Sequence, residues 1–463
     1  MRLIPIILAA GHGTRMKSKL PKMLHPLAGK PLVMHALDAA ASLGGEKAVV
    51  VVGHGEDAVR TAVGDAARFA VQEQQLGTAH AVLAAEGIAS GGEAGLVLVT
   101  YADMPLIRPE TLRRLVEMQL ANDGPMSMVT VVLSDPHGFG RVVRNPDGSV
   151  AAVVEEAVAT PPQLAIRELN ASIFCFRSDW LWPALKRIKI SPKGEFYLTD
   201  IVEVAARDGL RVAAFCTPDA DEMVGVNTRV HLAEAESILR RRINERWMLA
   251  GVTIVNPATT YIGAQVTLGQ DTVVWPNTYL RGKTTVGADC TIGPDTIIED
   301  SQIGSGCRVL ASLIESSTLE DDVRMGPFCH LRPKAYLAKG VKMGNFGEVK
   351  DSYLGPGVHM GHFSYIGNAE IGSHTNIGAG TITCNFDGKN KFKTEIGEEA
   401  FIGSDSMLVA PVKIGARART GAGSVVTHDV PADTTVVGVP ARRFEKKADQ
   451  LAGYSAVDDS RTE

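Results

Sequence analysis

Three stretches of this chain carry side chains whose types and spacing could do chemistry. Leu8, Ala9, Ala10, Gly11, His12, Gly13, Thr14, Arg15 and Met16 follow an apolar run, and Pro21 and Lys22 come shortly after. Gly11 and Gly13 let backbone N–H groups come close to phosphate oxygens, while Arg15 and Lys22 bring positive charge to where a leaving pyrophosphate would sit. The string is not a dinucleotide fingerprint, which needs a further glycine where Met16 stands, nor a P-loop, which needs a closing Gly-Lys-Ser/Thr. Asp103 ends a later apolar run, and a carboxylate facing a phosphate loop is a candidate ligand for a hard cation. Far downstream, Glu348, Lys350, His362, Tyr365, Asn376 and Asn385 interrupt a pattern of small aliphatics. Histidine, whose unperturbed imidazole ordinarily titrates at about pH 6.5, is the residue type that could take a proton at neutral pH.

The elements that must position these groups can be read from hydrophobic periodicity. In the first half, apolar runs at 3–8, 48–52, 69–72 and 96–100 alternate with helical patterns at 32–43, near Asp57 and from Thr78. That rhythm predicts a Rossmann-like α/β sheet over residues 1–229, with ligands beyond the carboxyl ends of its parallel strands. Val230 to Ala250 lacks Gly and Pro and predicts one long linker helix.

The second half keeps a beat of six. Ile262, Leu268, Val274, Leu280, Val286, Ile292 and Ile298 are six apart, and small residues such as Val266, Thr272, Thr278, Thr284, Cys290 and Thr296 follow four later. Such a period fits a coil of three flat faces, each turning one aliphatic inward, and predicts a parallel β-helix over 251–440. At about 18 residues per coil and roughly 4.8 Å between coils, residues 251 to 430 give about ten coils. The frame slips by one at Ile303, as expected at corners, and is broken between Ile377 and Ile396 by Asn385–Lys391, which must project as a loop.

Composition narrows the classes. A chain of 463 residues is too long for one core, and a net charge of −5 with no long basic run argues against a nucleic-acid surface. The Arg240–Arg242 triplet reads as a solvated helix face. No apolar stretch approaches a membrane span, and the N-terminal run is too short for a signal peptide, which predicts a cytoplasmic protein. Of six cysteines, Cys290, Cys307 and Cys329 take the small inward slot, Cys175 and Cys216 are expected to be buried in strands, and no CxxC supports zinc. Residues 441–463 are polar and read as a tail.

The first string resembles the sugar-nucleotide pyrophosphorylase family of nucleotidyltransferases. Gln72, QLGT at 75–78, Tyr101-Ala102-Asp103, Gly140, Glu155, Asn170, GEFYLTD at 194–200 and Asn227 stand in family order. The resemblance implies that Leu8, Ala9, Ala10, Gly11, Gln72, Gly77, Thr78 and Tyr101 hold the uridine nucleotide, and that Asp103 and Asn227 hold Mg²⁺. It also implies that Gly140, Glu155 and Asn170 hold the sugar, and that Arg15 and Lys22 neutralise phosphate charge during attack of a sugar 1-phosphate on UTP. The family usually has Gly at Ala79 and Ala102, and Thr-Gly or Ala-Gly at Ala171-Ser172.

With GNFGEVK at 344–350, GHFSYIGN at 361–368 and NIGAGTITCNFDG at 376–388, nearly the whole chain resembles a bacterial family of bifunctional uridylyltransferases and acetyltransferases. A left-handed β-helix is then implied, with His362 as general base oriented by Glu348. Arg332, Lys350, Tyr365, Asn376 and Lys391 would grip glucosamine 1-phosphate, and Asn385 would stabilise the oxyanion. Ala379, Ser404 and Ala422 would line the acetyl-CoA groove, with Cys384 a pocket wall. The implied product is N-acetylglucosamine 1-phosphate, substrate of the first site, and the implied assembly is a homotrimer that completes the acetyl pocket. Phe386 replaces a tyrosine of that family, and Gly438 an arginine of some members, for which Arg442 or Arg443 could substitute. A single-activity pyrophosphorylase whose β-helix only assembles or regulates is the competing reading.

Overall fold

The computed structural model describes residues 2–91 and 94–444, and the chain divides into two compact units, 1–239 and 240–463. In the first unit, β1 (Leu3–Leu8), β2 (Val49–Val52), β3 (Arg68–Val71) and β4 (Leu96–Tyr101) are mutually parallel neighbours in the order β4-β1-β2-β3. Every residue of β1 and β2 is buried, as expected of strands covered on both faces, which is why they read as unbroken apolar runs. Helices α1 (Leu32–Ala41), α2 (Glu56–Val63) and α3 (Thr78–Ala84) connect them. The sheet continues through β5 (Met126–Val132), a hairpin of β6 (Arg141–Arg144) and β7 (Val150–Val154), β8 (Glu168–Arg177) and β9 (Val212–Cys216). Its order is β9-β5-β8-β4-β1-β2-β3, with β8 antiparallel to both neighbours.

Cys216 departs from expectation. It is exposed, because β9 is the edge strand and its last side chain alternates outward, whereas Cys175 in central β8 is buried.

A helix from Arg229 to Leu249 follows. Ala235 and Ile238 join Met16, Leu27, Leu32, Leu106 and Val226 in a cluster of the first unit. In the second unit the buried Asn244 amide donates to the Pro257 and Thr260 carbonyls at 3.0 and 3.1 Å. Arg240 is not simply solvated: its guanidinium lies 4.6 Å from the Tyr261 ring centroid, and of the triplet only Arg241 is exposed.

Among its described residues the second unit is three sheets of 12, 10 and 9 strands in which each strand pairs parallel with the one a coil later, save the last strand of the first sheet, the arrangement of a left-handed β-helix. Call the faces first, second and third in the order the chain visits them. The inward aliphatics are those of the six-residue beat, and the small residues after them are at most 2% exposed from Val266 to Thr296. The threonines among them satisfy their buried hydroxyls on backbone: Thr272 donates to the Gly287 carbonyl at 2.8 Å and Thr284 to Arg281 at 2.6 Å. The thiols of Cys290 and Cys307 do the same on Gly304 and Glu320.

Corners explain the slips. In a six-residue interval a left-handed residue stands three after the inward one, as at Asp271, Asn277, Asp289, Asp295 and Asp322. In the five-residue intervals it stands two after, at Asp300, Ala311, Ser316, Asp351 and Asn368, with φ between 41° and 49°. The tighter corner removes one residue and keeps the next aliphatic inside. Where the pattern lacks an aliphatic, Thr383 and Thr420 fill the slot, both buried.

Arg442–Arg443 pair antiparallel with Thr435–Val437, so part of the expected tail is a strand. Residues 445–463 of that tail lie outside the described residues. Among the described residues no helix is long and apolar enough to cross a membrane.

Candidate active sites

In the first unit three loops meet beyond the carboxyl ends of β1, β2 and β4. A Cβ on Gly53 would lie 3.0 Å from the Ala10 carbonyl and 2.8 Å from the Gln75 amide, and one on Gly13, whose φ is +62°, would lie 2.5 Å from Lys22 Cβ. The glycines therefore serve close approach of loop to loop. Lys22 Nζ donates to Asp103 Oδ2 at 2.6 Å and to Asn227 Oδ1 at 2.8 Å, and Arg15 Nη2 to the same Asn227 oxygen at 3.0 Å. The expected phosphate-neutralising cations and the expected cation-binding oxygens thus form one cluster, with the Lys22 ammonium on the two oxygens. The Lys22 side chain is only 7% exposed, so the pair is a partly desolvated one that needs both members.

Gln72 is buried, and Gly77 adopts φ 101° and ψ 179° ahead of α3. Thr78 Oγ1 accepts from the Leu198 N–H at 2.9 Å. Burial, with the nearby carboxylates of Asp103 and Glu155, pushes the Tyr101 phenol well above its ordinary value against the opposing pull of a hydrogen bond with Thr78, so the phenol is neutral. Gly140, Glu155 and Asn170 also converge: Asn170 N–H donates to the Gly140 carbonyl at 2.9 Å, and a Cβ on Gly140 would sit 3.5 Å from Glu155 Oε1. Thr199 donates to that carboxylate at 3.3 Å.

Ala79 and Ala102 lie outside the left-handed region, so their methyl groups cost no strain there. Ser172 does not: its φ is +59°, and its N–H is held by Asn170 Oδ1 at 2.9 Å. Sequence reasoning passed over His12 and His54, whose rings lie 5.2 Å apart at the mouth of the phosphate loop. The signal was a Gly-His-Gly string repeated at 11–13 and 53–55, after two adjacent strands.

In the β-helix, the second residue after the inward one at the corner from first to second face is His362, then Ala379, Ser404, Ala422 and Gly438 in successive coils. The candidate base and the three candidate coenzyme residues therefore stack along one edge. His362, Asn376, Ala379 and Ser404 line a cavity of about 240 Å³ with His359 and Phe401. Gly438 has φ +98°, a conformation that side-chain-bearing residues rarely adopt, while Arg442 pairs with the adjacent Val437.

The other candidates lie along the second face. His330, Glu348, Tyr365 and Ile382 form one outward ladder. The Tyr365 hydroxyl and the Asn385 amide both lean over Gly367, where a Cβ would meet them at 2.5 and 2.8 Å. Lys350 pairs in register with Gly367, and Lys391 bridges back to Phe386 in the exposed loop.

One expectation is corrected within the protomer. Glu348 does not reach the His362 of its own chain: its carboxylate accepts from Arg332 Nη1 at 3.0 Å, and His362 has no hydrogen-bond partner among the described residues. The reason is register, since Glu348 stands on the flat of the second face and His362 at the corner before it. Burial raises the Cys384 thiol, which suits a wall residue rather than a nucleophile.

Comparison with known proteins places both halves. A MobA-like NTP transferase domain matches residues 5–178, and the bacterial transferase hexapeptide (six repeats) matches 393–428. The chain is 45% identical to the bifunctional protein GlmU of Halalkalibacterium halodurans over 443 residues, covering 96% of this chain and 97% of that one. It is 45% identical to the protein of that name from Exiguobacterium sibiricum over 93% of this chain and 96% of the relative. It is 42% identical to the one from Streptococcus agalactiae over 94% of each.

Proposed function

The chain belongs to the family of bifunctional GlmU proteins, and we propose from that premise how its two sites divide the work. It is a bifunctional uridylyltransferase and acetyltransferase that makes UDP-N-acetylglucosamine. The product feeds peptidoglycan and lipopolysaccharide synthesis, and the cytoplasm is the compartment in which its substrates meet.

In the first unit a phosphate oxygen of N-acetylglucosamine 1-phosphate attacks the α-phosphorus of UTP. The new P–O bond forms as the bond to the β-phosphate oxygen breaks, and pyrophosphate leaves with that electron pair. No protein nucleophile is needed. Leu8 to Gly11 supply backbone donors, Gln72, Gly77, Thr78 and Tyr101 seat the nucleotide, and Gly140, Glu155 and Asn170 seat the sugar. Arg15 and Lys22 neutralise charge that grows on the leaving group. Asp103 and Asn227 suit Mg²⁺, because both are oxygen ligands already converging on one positive group, that of Lys22. When bound, the ion would further neutralise the phosphates. The single observation that carries this site is the Arg15–Asn227–Lys22–Asp103 cluster.

In the second unit His362 takes the proton that the glucosamine 1-phosphate ammonium must lose. The free nitrogen then attacks the thioester carbon of acetyl-CoA, the C–N bond forms, the C–S bond breaks, and the thiolate leaves, taking up the proton that the new amide nitrogen sheds. Asn385 steadies the oxyanion. Arg332, Lys350, Tyr365, Asn376 and Lys391 hold the sugar phosphate, and Ala379, Ser404 and Ala422 hold the coenzyme, with Arg442 and Arg443 near its phosphates.

His362 at one margin of the second face and Tyr365 with Asn385 across it are roughly 10 Å apart along the strand. A homotrimer that apposes the corner of one protomer to the second face of another would close that gap. The test is a paired assay on one preparation: pyrophosphate release with UTP, and thiol release from acetyl-CoA with glucosamine 1-phosphate. Absence of thiol release leaves only a pyrophosphorylase with a structural β-helix.

A further inference from the structure

The Gln72 side chain is fixed by more than its place in the nucleotide loop. Its amino group, Nε2, donates to the Gly77 carbonyl at 3.0 Å and approaches His80 Nδ1 at 3.1 Å. A carboxamide nitrogen carries two hydrogens and no acceptor, so both are committed and His80 must present an unprotonated Nδ1. The Gly77 carbonyl is itself full, since it also accepts from the Ala81 N–H at 3.1 Å. What remains of Gln72 is its carbonyl oxygen, which no donor among the described residues reaches and which is not among the sealed, unpartnered atoms. The residue is 4% exposed, so the opening is narrow and that oxygen is what it shows.

We propose that His80 is the positioning residue that makes this enzyme a uridylyl rather than a cytidylyl transferase, by forcing Gln72 to present an acceptor to the nucleobase. Uracil carries a donor at N3 between two carbonyl groups and matches that acceptor. Cytosine carries an acceptor at N3 and meets it oxygen against lone pair. If the carboxamide turned over, the preference would invert; the Gly77 carbonyl and the His80 imidazole together hold it, and His80 is the side chain of the two. A site built around one polarity rejects the wrong base because a desolvated group is left unpaired. His80 touches neither substrate nor metal in this account. It lies on the first turn of α3, which Gly77 and Phe196 anchor to the nucleotide loop. The inference rests on the reading of Gln72 as a nucleotide-binding residue.

The experiment measures kcat/KM for UTP and for CTP with the full-length enzyme carrying His80→Leu, His80→Ala, His80→Asn or Gln72→Ala. Acetyl transfer and the thermal transition of each preparation report folding. Leu and Ala remove the acceptor, and the CTP-to-UTP ratio should rise about tenfold, the worth of one neutral hydrogen bond. Asn places a carbonyl oxygen where Nδ1 was and should return the ratio to within about threefold of wild type, which a merely structural role for the ring would not produce. An unchanged ratio in the Leu and Ala variants, with discrimination lost in Gln72→Ala, overturns the role of His80 and leaves the nucleotide site standing. An unchanged ratio in Gln72→Ala overturns both.

Discussion

Replacing Gly77 by alanine should weaken uridylyl transfer while leaving the protein folded. Gly77 combines φ 101° with ψ 179°, a region open essentially to glycine alone, at a cost for other residues of about 1–3 kcal/mol. The added methyl would also stand 2.5 Å from the Phe196 carbonyl oxygen and 2.8 Å from its nitrogen. That backbone cannot yield, because Phe196 N–H donates to Leu76 at 2.7 Å and its carbonyl accepts from Ala79 at 2.9 Å. The segment 72–78 must move instead, and Gln72, Gly77 and Thr78 move with it. A domain stable by about 5–15 kcal/mol survives such a loss, with a transition lowered by about 2–4 °C for each kcal/mol. At about 1.4 kcal/mol per decade, kcat/KM for UTP should fall by about 10- to 100-fold. Steady-state pyrophosphate release measures it, with thiol release from the same sample as the internal standard. A variant that keeps wild-type kcat/KM for UTP would show that this loop does not seat the nucleotide.

Asp103→Ala should abolish UDP-sugar formation and spare acetyl transfer, and normal pyrophosphate release from that variant would remove the proposed cation site. His362→Ala should lower acetyl transfer by about 10²- to 10⁴-fold with uridylyl transfer intact; equal loss of both would indicate misfolding. Gly344→Ala would drive a methyl to 1.8 Å from the Gly361 carbonyl in the next coil. It should cost at least about 1–3 kcal/mol in denaturant melts of the β-helix, and acetyl transfer should fall because His362 follows Gly361 directly. Glu168 gives a pH test. Burial raises its carboxyl, but hydrogen bonds from Arg144, at 2.5 and 2.8 Å, and from Thr130 outweigh it and hold it below its ordinary 4.5. A depressed folded value stabilises above about pH 4.5 and is lost as pH falls through it, so the drop in melting temperature between pH 6 and pH 3.5 should be smaller in Arg144→Met. An equal drop in both proteins would show that the pair adds nothing.

Much of this was legible in the chain because the patterns are periodic. Four apolar runs separated by helical stretches give β1 to β4, and a six-residue beat gives three-walled coils. Chemistry-bearing residues stood out where they broke those patterns, as His362 and the segment from Asn385 to Lys391 did. The exposure of Cys216 was not legible, since only sheet order reveals that β9 is an edge. Nor was the stacking of Arg240 on Tyr261, a contact between a helix and a coil 21 residues on.

The sequence by itself determined which groups are present and the period that repeats them, because burial of one aliphatic per face leaves a trace at fixed intervals. Partnership was decided by the tertiary structure. Lys22 lies 81 residues from Asp103 and 205 from Asn227, and nothing in their spacing says that one ammonium meets both oxygens. Likewise His80 meets Gln72 only because a turn and a helix start bring them back together, and Glu348 meets Arg332 rather than His362 because of where the corner falls. Hydrogen bonds act over about 3 Å, and a distance that short is fixed by packing rather than by order along the chain.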